Sequence, residues 1–251
     1  MSTEVDASPF DLGPSESATA VLCIHGLSGT PYEVRPIAEA LAGAGVRARG
    51  IALPGHCTSP EELARTHRAA WVDAAHEALA DLRSSHDRVA MVGMSMGGVV
   101  SLRVAQSVEV DAVVTVGTPL ELDAPIRWFV PFVKHLLPML EKKGGSDIRD
   151  AAARERHPGY PVMPLAAVHE LIKLQAEVVR ELEAIAAPIL VAHGAHDRTA
   201  PPRNARMIHD AVSSEVRELV MYERSGHVVP VDHDGPELAE RVTAFVRTIT
   251  G

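Results

Sequence analysis

The stretch RVAMVGMSMGGVVSLRVAQS, residues 88–107, constrains the fold of this chain more than any other. Its first half, 88–94, is a Val- and Met-rich run that reads as a buried strand. Its second half, 96–107, carries apolar groups at helical spacing. One residue, Ser95, is left to make the reversal between them. A turn that sharp puts its apex in strained backbone geometry. It also brings strand and helix backbones so close that only small residues fit beside it. Gly93 and Gly97 stand two positions on either side, and Gly98 follows. The hydroxyl is thereby lifted to the edge of a sheet at the amino end of a helix. Free N–H groups and the helix dipole favour developing negative charge there. A tight turn with an ordinary serine would satisfy the spacing alone, but not the strand-to-helix context.

The rest of the chain repeats the alternation. Strands are expected at 18–26, 46–53, 111–117, 188–194 and 216–223, besides 88–94. Helices are expected at 32–45, 71–85, 96–107 and 236–250. Strands alternating with crossover helices imply a mostly parallel, twisted sheet covered on both faces. With 46% apolar residues in 251, the chain has ample material for such a core. The segment 119–187 breaks the rhythm, with helical patterns but no convincing strand. It reads as a helical cap over the sheet's carboxyl edge, where open α/β sheets bind ligands, and the expected division is a core of 1–118 and 188–251 with a cap of 119–187. Within it, PIRWFVPFVKHLLPML (125–140) is rich in bulky apolar groups. It could line a tunnel, offer an apolar rim or pack on its own core.

Charge and cysteines narrow the function. A formal net charge of −9 argues against nucleic acid or an anionic membrane as the main partner. The opening MSTEVDASPF has acids where a signal peptide carries Lys or Arg. No apolar run reaches the roughly 20 residues that a bilayer span takes. The expectation is a cytoplasmic protein without membrane insertion. Cys23 and Cys57 fit neither a disulfide framework nor a metal site.

A serine hydroxyl needs a base, and the base an acid that fixes its tautomer. Of thirteen histidines, His227 lies just past the last expected strand and before the last helix, at the same sheet edge as Ser95. Asp197 follows the strand 188–194 directly at that edge. Its rivals Glu121 and Asp123 follow a strand farther from that of His227. Asp232 and Asp234 read as a solvated turn. Two backbone donors for an oxyanion are expected from Met96, next to the serine, and from Leu27, in the HGLSGTP loop after the first long strand. Thr30 in that loop is placed to cap a helix before Pro31.

The ordered blocks HGLSGTPYEVRPIAEAL, LPGHCTSPEEL, VGMSMGGVVSL, PILVAHGAHDRTAPPRNA and ERSGHVVPVDHD run through most of the chain. Together they resemble the α/β-hydrolases of the bacterial carboxylesterase and monoacylglycerol lipase group. The resemblance implies an α/β-hydrolase fold, with a small helical cap inserted after the sixth strand of that fold. It implies Ser95 as nucleophile, Asp197 as acid, His227 as base, and Leu27 and Met96 as oxyanion donors. It also implies hydrolysis, through an acyl-enzyme, of short- to medium-chain acyl esters, with monoacylglycerols among the candidates, and without cofactor or metal. Acyl transfer or thioester cleavage by the same residues, or a silent binding module, are the alternatives. The oligomeric state is not indicated.

Overall fold

A computed structural model describes residues 5–251, so the first four residues of the acidic start lie outside it. Seven strands form the main sheet: β1 (Phe10–Leu12), β2 (Thr19–Ile24), β3 (Arg47–Ile51), β4 (Arg88–Met94), β5 (Ala112–Val116), β8 (Ile189–Gly194) and β9 (Arg217–Tyr222). Their order is β1-β3-β2-β4-β5-β8-β9. All neighbours are parallel except β1, which runs antiparallel to β3. The six longer strands are those expected from the sequence; three-residue β1 is too short to leave a periodic signal.

Successive residues of β2 face opposite layers. Leu22 and Ile24 join a core with Trp71, Met91 and Val99, beneath α3 (Arg68–Arg83), α4 (Met96–Ala105) and α8 (Arg203–Ala211). Val21 and Cys23 join the other, with Ile37, Leu41 and Phe245, beneath α1 (Arg35–Gly43) and α9 (Gly235–Thr250). Both faces of the central strands are therefore dry, which is why β2, β4, β5 and β8 read as unbroken apolar runs, whereas β3 and β9 near the sheet's edges keep arginine and half-buried positions. A short α2 (Pro60–Arg65), capped by Ser59, precedes α3.

Between β5 and β8 come α5 (Ala124–Val133), β6 (Met139–Glu141), α6 (Ala151–Arg156), β7 (Val162–Pro164) and α7 (Leu165–Arg180). Against the expectation of helices only, β6 and β7 pair as an antiparallel ribbon, each three residues long. Packing also changes before residue 187. Leu171, Leu174 and Val178 of α7 belong to the core cluster of the α3–α4 layer. The end of α7 toward Leu165 joins a separate small cluster with Leu122, Val130 and Val168. Thus α5 and the ribbon form the overhang, rooted in one core layer by α7 and in the other by Ile148 and by Ala153 of α6.

No helix among the described residues is long and apolar enough to cross a membrane. On α5 and just beyond it, Trp128, Phe132 and Leu136 are nevertheless 67%, 74% and 88% exposed.

Candidate active site

The link from β4 to α4 is a single residue. Ser95 has φ 53° and ψ −118°, a strained conformation for a residue with a side chain. Its N–H donates to the Val116 carbonyl at 2.8 Å, which fixes the apex against β5. A Cβ on Gly97 would stand 2.2 Å from the Ile24 carbonyl oxygen, and one on Gly93 2.3 Å from that of Gly97. The small residues are thus required by backbone packing.

Loops from three strand ends bring three side chains to this point, all buried. Ser95 Oγ lies 2.9 Å from His227 Nε2, and His227 Nδ1 lies 2.7 Å from Asp197 Oδ2. The Nδ1 proton faces a carboxylate, so Nε2 is left to accept from the serine hydroxyl. Burial opposes charge on His227, but the Asp197 carboxylate outweighs it and raises the imidazole above its ordinary value. Burial likewise disfavours charged Asp197. Against that, His227, a hydrogen bond from His193 and backbone donors hold its carboxyl well below the usual carboxylate range. Oδ1 accepts from the N–H groups of Thr199 and Ala200 at 2.8 and 2.7 Å.

The neighbours of this chain of contacts carry several features that sequence reasoning did not find. His193 Nε2 donates to the Ala200 carbonyl at 2.9 Å and also stands 3.0 Å from Asp197 Oδ2, close enough for its proton to favour that carboxylate. Asp232 and Asp234 are buried, not a solvated turn. Asp232 accepts from the N–H groups of Gly226, Arg149 and Asp150, which braces the loop that carries His227. Asp234 binds Arg224 and Ser225 in the same loop. Short acids in turn sequences satisfy nearby N–H groups in this way, which is the signal that would have identified them. The rivals Glu121 and Asp123 turn away to Arg127 and Arg203.

The HGLSGTP loop crosses beside Ser95. His25, buried, accepts from the Leu53 N–H at Nε2 and donates from Nδ1 to the Gly26 carbonyl. Burial lowers its pKa, consistent with this neutral tautomer. The expected Thr30 cap does not form; its Oγ1 is buried without a partner. Glu33 instead organises the loop, its Oε2 accepting from the Gly26 N–H at 2.8 Å. Its Oε1 lies 3.0 Å from Nε2 of His157, a residue of the overhang 124 positions away. Their side chains are only 6% and 3% exposed. Burial alone would raise the Glu33 carboxyl; the bond from His157 and the surrounding charges hold it down at about 2. The N–H groups of Leu27 and Met96 have no protein acceptor among the described residues.

A cavity of about 1070 Å³ opens onto these groups, reached by Leu27, Ser95 and His227. Ile126, Phe129, Val133, Leu137 and Met163 give it a broad apolar wall. The run 125–140 therefore contributes both a wall and an exposed rim.

Comparison with known proteins sets this geometry in context. A family model described as serine aminopeptidase, S33, matches residues 15–234. The chain is 31% identical over 242 residues to the thermostable monoacylglycerol lipase of Bacillus sp. (strain H-257), covering 95% of this chain and 94% of that protein. It is 25% identical over 231 residues to the carboxylesterase of Bacillus subtilis (strain 168), covering 92% and 93%. Among solved structures, one reported for the metagenome-derived lipolytic enzymes LipS and LipT matches with a TM-score of 0.90 at 29% identity, over 96% of this chain and 98% of that one.

Proposed function

The chain belongs to the serine aminopeptidase S33 family of α/β-hydrolases and is a serine ester hydrolase, and we propose that Ser95, His227 and Asp197 carry its chemistry. The observation that carries this reading is the continuous hydrogen-bonded path from Ser95 Oγ through the imidazole to the Asp197 carboxylate, at the floor of a cavity with one broad apolar wall.

In the first step Ser95 Oγ bonds to the ester carbonyl carbon while its proton passes to His227 Nε2. The imidazolium is stabilised by Asp197, and the new oxyanion faces the N–H groups of Leu27 and Met96. Collapse breaks the bond to the alcohol, which leaves with the proton from Nε2. Water then attacks the acyl-enzyme, gives its proton to His227, and the acid departs as Ser95 recovers that proton. Both oxyanion donors belong to the backbone, so no side-chain substitution deletes them directly. The apolar wall and the relatives support an acyl chain as the buried half of the substrate, with monoacylglycerols among the esters to test.

The test is turnover of p-nitrophenyl butyrate and of a monoacylglycerol, with labelling by a fluorophosphonate. Ser95→Ala should lose both label and roughly six orders of magnitude in kcat. Near-normal turnover in that variant would remove Ser95 from the mechanism. An amino-acid p-nitroanilide run in parallel separates ester from peptide-like substrates.

A further inference from the structure

The cavity above Ser95 is not electrically uniform. Away from its apolar wall it is lined by Lys142, Lys143, Arg154 and Arg198, with Glu33 and Asp147 as the acids among them. The acids are already engaged. Glu33 is held by His157 and the Gly26 N–H. Asp147 is held by Arg198, through the guanidinium at 3.1 Å and the Arg198 N–H at 2.8 Å. Lys142, Lys143 and Arg154 enter no ion pair among the described residues. Arg154 reaches only the Ile148 carbonyl, at 3.5 Å.

Lys143 and Arg154 are exposed, and water solvates them cheaply. Lys142 is different. It is half-buried, and its Nζ donates to one neutral group, Ser28 Oγ at 2.6 Å. Burial lowers its pKa, with only the engaged Glu33 opposing that. Keeping an ammonium partly out of water with no carboxylate in ion-pair contact costs stability unless a ligand supplies the missing partner. An ammonium has three donors, and Ser28 occupies one. Ser28 also directly follows Leu27, so the unsatisfied charge stands at the oxyanion loop. A net excess of cations here contrasts with the −9 of the whole chain.

We propose that Lys142, aided by Lys143 and Arg154, binds an anionic group on the alcohol side of the ester. The apolar wall suits the acyl half, so the charge belongs to the half that leaves. The substrate class is an acyl ester whose alcohol carries a carboxylate or a phosphate. This inference rests on the esterase reading of the same site and narrows it.

The test compares kcat/KM for matched soluble esters: 4-butyryloxybenzoate against its methyl ester, and butyryl glycerol 3-phosphate against monobutyrin. Wild-type enzyme should favour the charged member of at least one pair by roughly ten-fold. That ratio should fall toward unity in Lys142→Met and below unity in Lys142→Glu. It should also decline in the wild type as salt rises. Each variant serves as its own reference, so a general loss of activity cancels. The salt series needs no variant at all. A wild-type ratio near one in both pairs, or a preference that survives Lys142→Met, overturns the proposal. So does a preference for charge that appears only when esters are presented on anionic vesicles, which would assign the cations to surface attachment. Failure of the underlying esterase reading looks different: the neutral esters would not turn over and Ser95 would not take a fluorophosphonate.

Discussion

His227 is pulled in two directions, since burial disfavours its charge and Asp197 favours it, and Asp197 prevails. As the proposed base, His227 works only when neutral, so kcat/KM should rise with pH along a limb centred above the ordinary 6.5. Asp197→Asn removes the attraction and also lets the imidazole take the wrong tautomer. It should lower kcat by roughly 10⁴ and move the limb to lower pH, as a pH–rate profile will show. Glu33 is the second residue whose environment makes a prediction. Glu33→Ala leaves the Gly26 N–H and His157 without their buried acceptor, at a cost of about 1–3 kcal/mol. The sign with pH follows from a folded pKa of about 2 against 4.5 for a free glutamate. The Glu33 carboxylate stabilises fully above the unfolded value and loses that contribution as pH falls toward the folded one. The gap in melting temperature between wild type and Glu33→Gln should therefore shrink on acidification through that window. Ser95, Asp197 and His227, which the fold brings into one hydrogen-bonded path, stood out in the sequence because each lies in the link after a recognisable strand. Glu33 could not. Its partner lies 124 residues away on a segment without strong periodicity, and only the folded chain joins them.

At the scale of elements, β2, β4, β5 and β8 were legible because dry faces on both sides demand continuous apolar runs. The ribbon β6–β7 was not, since three residues show no alternation to count. Nor was the partition of α7, because a helix with one apolar stripe looks the same whether it covers a core or a cavity. The run 125–140 announced its hydrophobicity but not its direction. In the structure it faces two ways, with Val130 and Val133 on the cavity, Trp128, Phe132 and Leu136 toward solvent, and Phe129 lining the cavity while still largely exposed. An apolar rim beside a cavity mouth gives dispersed lipid a surface to meet. Replacing Trp128, Phe132 and Leu136 together by serine should lower turnover of an emulsified long-chain monoacylglycerol by about ten-fold or more. Turnover of dissolved p-nitrophenyl butyrate should change much less. Equal losses on both substrates would show that the rim supports the fold and not access.

At the scale of the molecule, the overhang is fastened to the sheet's edge at the loop that carries Leu27. Lys142 binds Ser28 Oγ, and the Tyr160 N–H binds the Ser28 carbonyl at 2.9 Å. The Tyr160 hydroxyl donates to the Gly55 carbonyl, and His157 closes on Glu33. On the opposite side the Asp147 carbonyl takes the His227 N–H at 2.9 Å. One segment thus touches the loop beside Ser95 and the loop that carries His227. Displacing it would disturb both, so the cavity and the catalytic geometry are built as one unit. His157→Ala tests this coupling, because it cuts a tether without touching Ser95, His227 or Asp197. Hydrogen exchange should quicken together in residues 139–164 and in the HGLSGTP loop, and kcat should fall by more than KM changes. Faster exchange in the overhang alone, with kcat intact, would mean that the loop keeps its shape through His25 and Glu33 without help from above.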